Sequence, residues 1–398
     1  MKKYIVGGFI RSTLLGIHPN DTDYVVVGSN MDEMIAAGFT FVGKDFPVFL
    51  HPETKEEYAL ARSEKSTGPG YRDFTTETNN VSLEEDLSRR DLTVNAIAMS
   101  KDGSVIDPFN GQSDLEKRVL RHTSEAFKDD PLRVLRLARF RATLPGTWTI
   151  AHETKVMCYE MRHFLNSLTP ERIWKEVEKV ITANALPTFM ETLYELNVLD
   201  VVFPEIHRMI LCREGSKHHR EANVFVHTMM MLRTGPKFDT IEQLAILFHD
   251  IAKPITYIKY GCSAGHDDEE LIDSLLPKWI PTKTRKQVLF LIKNHTRIYK
   301  TSSMKASKVA SLLSEYKDPA VLLKQLTVAH ADDQGRICDP DISKGIQDAE
   351  IIEAHREILE YSPAKWIESL DSKPSAEAIK QNIHRTNISI VKRIFGKD

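Results

Sequence analysis

Gly7-Gly8-Phe9-Ile10-Arg11 and, a short loop later, Asp21-Thr22-Asp23-Tyr24-Val25-Val26-Val27 set the architecture of the N-terminal region. The second segment reads as an apolar strand led in by two carboxylates. Side chains of an extended segment alternate between faces, so Asp21 and Asp23 point the same way, close enough to share divalent cations. Magnesium suits such a pair, because it binds through one or two carboxylates and completes its octahedron with water and substrate phosphates. A metal held there can carry a triphosphate. The glycine pair lets the backbone approach a ligand closely, and Arg11 on the following helix can reach phosphate oxygens. Alone, Gly-Gly is a tight turn and Asp-x-Asp a solvated strand start; their co-occurrence carries the inference.

Outward from this segment, residues 1–110 read as mixed α/β. Strands are expected at residues 4–6, 24–27, 48–50 and 57–61, with a helix beginning near Arg11. Residues 65–72, Lys-Ser-Thr-Gly-Pro-Gly-Tyr-Arg, combine glycine, small residues and charge and predict a mobile loop. From about Ser113 apolar residues recur at spacings of three and four, predicting helices over 130–142, 170–181, 241–251 and 284–293. The expected class is α+β: a head with a small mixed sheet, then an all-helical remainder. Composition shifts at residues 215–219 and 335–340 divide that remainder.

A chain of 398 residues exceeds what one core supports, so two to four domains are expected. Hydrophobic content of 41% and charged content of 27% are those of ordinary folded protein. Net charge is −3, which removes a global basic field; any nucleic-acid contact has to come from local clusters. Cys158, Cys212, Cys262 and Cys338 show no CxxC spacing, and no signal peptide is expected ahead of them, which points to reduced thiols in the cytoplasm. No segment approaches the ~18 apolar residues a membrane span needs.

Two further clusters carry chemistry. In Arg89-Arg90-Asp91-Leu92-Thr93-Val94-Asn95-Ala96 an Arg-Asp pair can grip ribose and phosphate together, the arginine as forked donor and the aspartate as acceptor. In Asp129-Asp130-Pro131-Leu132-Arg133-Val134-Leu135-Arg136-Leu137-Ala138-Arg139-Phe140 the helix start is specified by Asp130 and Pro131. Asp130, Arg133, Arg136 and Arg139 then recur every three residues as a stripe. An acceptor beside guanidinium forks can pair with the edge of a base. Alone, these clusters read as a surface ion pair and a solvated basic face.

In their order and spacing, Gly7-Gly8-x-x-Arg11, Asp21-x-Asp23, Arg89-Arg90-Asp91-Leu92-Thr93-x-Asn95-Ala96 and Asp130-Pro131-Leu132-Arg133-x-x-Arg136-x-x-Arg139 resemble the bacterial-type (class II) CCA-adding tRNA nucleotidyltransferases. The resemblance covers roughly the first 180 residues, including Thr169-Pro170-Glu171-Arg172. It implies a nucleotidyltransferase head in which Asp21 and Asp23 hold catalytic Mg²⁺, Gly8 and Arg11 lie near the triphosphate, and Arg90 and Asp91 contact the ribose. Asp130 and Arg133 would pair with the base of CTP or ATP, supported by Arg136 and Arg139. Residues 68–72 fall where the family has the flexible loop linked to the switch from C to A. Ser12 is a departure, since aspartate usually follows that arginine; a modest structural effect is expected. Arg172, Lys175 and Lys179 are available to tRNA phosphates.

The helical part holds a second set. His249-Asp250 follows the apolar face Ile241, Leu244, Ala245, Leu247, Phe248, and an adjacent histidine and carboxylate can share one metal where a helix end opens into a cleft. With His227 upstream and Asp332 downstream, and in the context Phe248-His249-Asp250-Ile251-Ala252-Lys253-Pro254, the order is similar to that of HD phosphohydrolases. The resemblance implies a divalent metal, Ni²⁺ or Mg²⁺, and hydrolysis of 2′,3′-cyclic phosphates, 2′-nucleotides and small phosphates. His218, His219, Glu221, His266 and His295 are expected as supporting or substrate groups. Residues 218–223 depart from the commoner proline, glycine and aspartate pattern.

The expected division is head 1–112, neck and body 113–214, HD domain 215–335 and C-terminal helical tail 336–398. The expected activity is addition of C, C and A to tRNA from CTP and ATP, with a second, phosphohydrolase activity. A poly(A) polymerase is the near alternative; its basic extensions are not matched by pI 6.6. An HD hydrolase whose head only binds nucleotide is the more distant one.

Overall fold

The computed structural model describes residues 1–19, 22–42, 48–66, 74–78, 80–213, 220–235, 237–337 and 346–397. The chain forms two compact units, Met1–Val202 and Phe203–Asp398.

In the first unit, strands β1 (Lys2–Val6), β2 (Asp23–Val27), β3 (Thr40–Phe41), β4 (Val48–Leu50), β5 (Glu57–Leu60), β6 (Ser63–Ser66), β7 (Phe74–Glu77), β8 (Ala98–Met99) and β9 (Val105–Ile106) precede most of the helices. Among the described residues one sheet runs β3-β4-β5-β2-β1-β8-β9, and β6 pairs with β7 separately. β2 lies parallel to β5, while its other neighbour β1 and the remaining adjacent pairs of the sheet are antiparallel. The unbroken apolar run of β2 follows from burial on both faces. Val25 joins Val6, Leu87 and Ala98 on one side, and Val26 joins Met34, Phe49 and Leu60 on the other. The β1–β2 register sets Val6 opposite Asp23, so the carboxylate stands beside the turn at Gly7.

The helices of this unit are α1 (Gly8–Leu14), α2 (Met31–Ala36), α3 (Leu83–Ser88), α4 (Gly111–Lys117), α5 (Leu132–Thr143), α6 (His152–Glu160), α7 (Pro170–Thr182), α8 (Leu186–Glu195) and α9 (Leu199–Val202). α1 begins at Gly8, a turn earlier than expected, because Gly7 itself makes the break with φ 72°. Ser82 and Glu85 form a capping box that starts α3. α5 packs against α7 and α8. Of the loop expected at residues 65–72, residues 67–72 lie outside the described set, as does Asp21.

The second unit is helical throughout its described residues: α10 (Pro204–Leu211), α11 (Val224–Thr234), α12 (Thr240–Phe248), α13 (Lys253–Tyr260), α14 (Glu269–Leu275), α15 (Thr282–Tyr299), α16 (Ala306–Glu315), α17 (Pro319–Gln334), α18 (Asp348–Glu360), α19 (Ala364–Glu368) and α20 (Ala376–Phe395). α11, α12, α15 and α17 pack on one another. A separate apolar cluster, with Leu312, Leu313, Tyr316, Ile351 and Val391, joins α16, α18 and α20. Asp239 and Glu242 close a capping box at the start of α12, whose last residue is Phe248. His249-Asp250 therefore sits in the turn between α12 and α13, where a helix predicted through 251 breaks. No helix among the described residues is long and apolar enough to cross a membrane. Cys158, Cys212 and Cys262 are free thiols, and Cys338 lies outside the described residues.

Candidate active sites

A cavity of about 800 Å³ in the first unit is lined by Gly7, Gly8, Arg11, Asp23, Arg89, Arg90, Asp91, Asn95, Asp130, Leu132, Arg133, Arg136, Arg139, Phe140, Arg172, Lys175, Glu176 and Lys179. Every described residue expected to hold nucleotide or metal in the head is among them, as are the three cations expected to meet tRNA phosphates. Nine lining side chains are cationic and four are carboxylates. A chain of net charge −3 thus concentrates positive charge in one cavity, an environment that attracts polyanions.

At the floor, a Cβ added to Gly7 would stand 3.2 Å from Arg90 Nη1 and 4.0 Å from Asp23 Oδ2. The absent side chain is what brings backbone, guanidinium and carboxylate together. Arg11 donates through Nη1 to Asn95 Oδ1, and its guanidinium carbon lies 5.0 Å from the centre of the Phe140 ring. Arg136 and Arg139 approach the same ring at 5.6 and 4.2 Å, so three arginines share one aromatic support.

The carboxylates orient these cations. Asp86, fully buried, takes Arg89 Nη2 at 2.7 Å and Arg90 Nη2 at 3.2 Å. Asp91 is 6% exposed and accepts from Asn95 Nδ2 at 2.8 Å and from Arg136 Nε at 2.8 Å. Burial pushes the Asp91 carboxyl upward, but the Arg136 charge and these two hydrogen bonds outweigh it and hold it at about 2. Asp130 accepts from Leu132 N at 3.0 Å, starting α5, and from Arg172 Nη2 on α7. Glu176, 3% exposed, takes Arg139 Nε at 2.5 Å and Lys179 Nζ at 3.4 Å. Burial lowers the Arg11 pKa from its ordinary value, against the attraction of Asp91. Sequence reasoning missed Phe140 as a support and Glu176 as an anchor. The only local signal for either was apolar or acidic character inside an otherwise basic stretch.

The second unit gathers two adjoining trios of metal-ligating groups. Ligand atoms of His227, His249 and Asp332 lie within 4.8 Å of one another, and so do those of Asp250, His266 and His295. Asp250 links the two: Oδ2 is 3.0 Å from His249 Nε2, and Oδ1 is 3.4 Å from His266 Nε2 and 3.7 Å from His295 Nε2. His266 and His295, expected only as supporting groups, stand among the ligating atoms, while His218 and His219 lie outside the described residues. His227 directs Nε2 to Asp332 Oδ1 at 3.1 Å and Nδ1 to Gly335 O at 3.3 Å, with Glu221 Oε1 at 3.6 Å.

These residues fit a divalent cation. His249 Nε2 and Asp250 Oδ1 are buried with only these imidazole and carboxylate neighbours, none in good hydrogen-bond alignment, which is costly for polar atoms unless something satisfies them. Imidazole nitrogens and carboxylate oxygens are the donors that divalent metals of this size accept. Burial pushes His249 down, in favour of the neutral imidazole that ligates. Burial also opposes charge on His227, but hydrogen bonds to Asp332 and Glu221 raise it to about 9.

Residues 3–121 match the family described as poly A polymerase head domain, and residues 148–210 match that described as probable RNA and SrmB-binding site of polymerase A. A multifunctional CCA protein of Acinetobacter baumannii (strain SDF) is 40% identical over 358 residues, covering 87% of this chain and 86% of that one. The chain belongs to the multifunctional CCA protein family. Another member, from Legionella pneumophila (strain Lens), is 36% identical over 99% of this chain and 98% of its own length. In fold, the chain is similar to the Bacillus stearothermophilus CCA-adding enzyme solved with CTP, with TM-score 0.64, 21% identity and coverage of 98% and 89% of the two chains. It is also similar to the Thermotoga maritima CCA-adding enzyme complexed with tRNA, with TM-score 0.52, 17% identity and coverage of 100% and 88%. The α+β class read from sequence is the fold of this family.

Proposed function

We propose that this chain adds C, C and A to the 3′ end of tRNA from CTP and ATP, in the arginine-walled cavity of its first unit. The observation that carries the reading is that one cavity is lined by Asp23 and the glycine turn together with Asp130 and Arg133. Asp21 and Asp23 would hold Mg²⁺, an exposed carboxylate opening onto the cavity being a fitting hard donor. Bound there, the metal supplies activation of the tRNA 3′-hydroxyl and charge neutralisation at the phosphates. The protein's own contribution is positioning and electrostatic preorganisation. Arg11 and Arg90 meet the phosphates, Arg90 and Asp91 lie toward the ribose, and Asp130 and Arg133 present acceptor and donor to the base, with Arg136 and Arg139 fixed behind them. Arg172, Lys175 and Lys179 guide the tRNA end. In this division residues 1–112 form the head and 113–214 the neck and body.

We propose a second, metal-dependent phosphohydrolase activity on cyclic and simple phosphate esters for the HD region, residues 215–335, with 336–398 as a helical tail. His227, His249, Asp250 and Asp332 would hold a divalent metal, and His266 and His295 would hold a second together with Asp250. The names of the relatives support more than one activity.

The descriptions of the two family matches favour poly(A) polymerisation as the alternative. Incubating the protein with tRNA lacking its last three nucleotides, and with each nucleotide separately, decides between them. CTP alone gives extension that stops after two residues, whereas repeated A addition without C contradicts the proposal.

A further inference from the structure

Around the two trios each carboxylate ligand is already held by a cation. Lys253 Nζ lies 2.7 Å from Asp250 Oδ2, with both side chains under a tenth exposed. Arg336 meets Asp332 through Nη2 to Oδ2 and through Nε to Oδ1 at 3.1 Å, and its side chain is 21% exposed against 9% for Asp332. Its guanidinium carbon lies 4.9 Å from the centre of the Tyr299 ring. The Tyr299 hydroxyl donates to Ala329 O, so the ring is a fixed shelf.

The two cations differ in what they can do once a metal arrives. Lys253 is enclosed beside Asp250. Arg336 reaches the trio from its more open side, on the residue stretch just after α17, and its forked donors match phosphate as well as they match carboxylate. A divalent cation on Asp332 takes the oxygens that Arg336 now uses and repels the guanidinium. Resting on the metal reading above, we propose that Arg336 is a phosphate-binding residue of the HD site: its fork competes with a metal for Asp332 and offers its donors to the substrate phosphate.

This assignment gives two effects of opposite sign, which a purely structural arginine does not. Removing Arg336 takes away a competitor for Asp332 and a positive charge beside the metal, so metal binding tightens. The same change removes a donor pair for phosphate, so phosphate binding weakens. Calorimetric titration of the full chain carrying Asp23→Ala, which removes a metal ligand of the first unit, with Mn²⁺ alone and then with inorganic phosphate at saturating Mn²⁺, compared with and without the Arg336 change, reads both. Arg336→Ala is expected to bind Mn²⁺ about fivefold more tightly, as for loss of an ion pair, and inorganic phosphate about tenfold more weakly. Arg336→Lys is expected to recover part of the phosphate affinity. Looser Mn²⁺ binding in Arg336→Ala, or unchanged phosphate affinity in both variants, overturns the assignment. Failure of the Asp23→Ala chain with Arg336 intact to bind Mn²⁺ overturns the metal reading and this inference together, and is distinct from either of those results.

Discussion

Arg172 Nη2 lies 2.9 and 2.8 Å from the two carboxylate oxygens of Asp130. The pair ties the segment that leads into α5 to the first turn of α7, and it aims the acceptor that the proposed function gives to the base. Both side chains are about a fifth exposed, so the ion pair is only partly screened. Arg172→Ala is expected to lower kcat/KM for both CTP and ATP by about tenfold, with Arg172→Lys intermediate, because a single guanidinium donor reaching both oxygens is replaced by a point charge. Steady-state incorporation with each nucleotide checks this.

Buried Asp91 pairs with a partly exposed Arg136, and the worth of the pair depends on pH. The folded-state carboxyl sits at about 2, below its ordinary 3.8. A depressed carboxyl stabilises the fold above the unfolded value and loses that contribution as pH falls through the folded one. The contribution is about 2 kcal/mol, present in full at pH 7 and lost between about pH 4 and 2. Asp91→Asn should therefore lower stability in denaturant at pH 7 and flatten the wild-type decline over that acid window. Urea unfolding of both proteins at pH 7, 4 and 3 measures it.

Gly7 combines φ 72° with a Cβ position 3.2 Å from Arg90 Nη1. Gly7→Ala is expected to cost about 1–3 kcal/mol of stability, from a left-handed backbone and a displaced arginine. Incorporation should fall more than that loss of folded protein explains, since Asp23 stands at the same turn. Thermal unfolding alongside incorporation by the folded fraction separates the two effects.

Much of this was legible in the sequence, and the limits have a physical cause. The strand at Tyr24–Val27 and the helix from Leu132 follow from local signals: an apolar run, and an Asp-Pro start before a regular stripe. The same stripe marked Arg133, Arg136 and Arg139 as a group. Which acid would hold each was not readable, because Arg136 finds Asp91, 45 residues away, and Arg139 finds Glu176, 37 residues away. Asn95 is quoted in a motif, yet its bond to Arg11 spans 84 residues and depends on the turn at residues 93–95 packing against α1. In the second unit, His-Asp adjacency pointed to a metal, while the grouping of Asp250 with His266 and His295 needed α15 to pack against α12. Tertiary packing decides such pairings.

Metal binding in the second unit has a stability consequence that does not depend on turnover. A cation that binds only the folded state raises stability by mass action, about 2.7 kcal/mol at a hundred times its dissociation constant. Added Mn²⁺ should raise the thermal unfolding midpoint of the wild-type chain, and His249→Ala should abolish most of that rise. Scanning both proteins with and without Mn²⁺, Mg²⁺ held constant, is the check.

In the proposed function, nucleotide addition takes place in the cavity that Asp23 borders. Incorporation of CTP and ATP into tRNA lacking its last three nucleotides, compared among wild type, Asp23→Ala and His249→Ala, tests it most directly. Asp23→Ala is predicted to lose incorporation by about a thousandfold while its Mn²⁺-dependent phosphohydrolysis persists, and His249→Ala to do the reverse. Undiminished incorporation by Asp23→Ala would contradict the account.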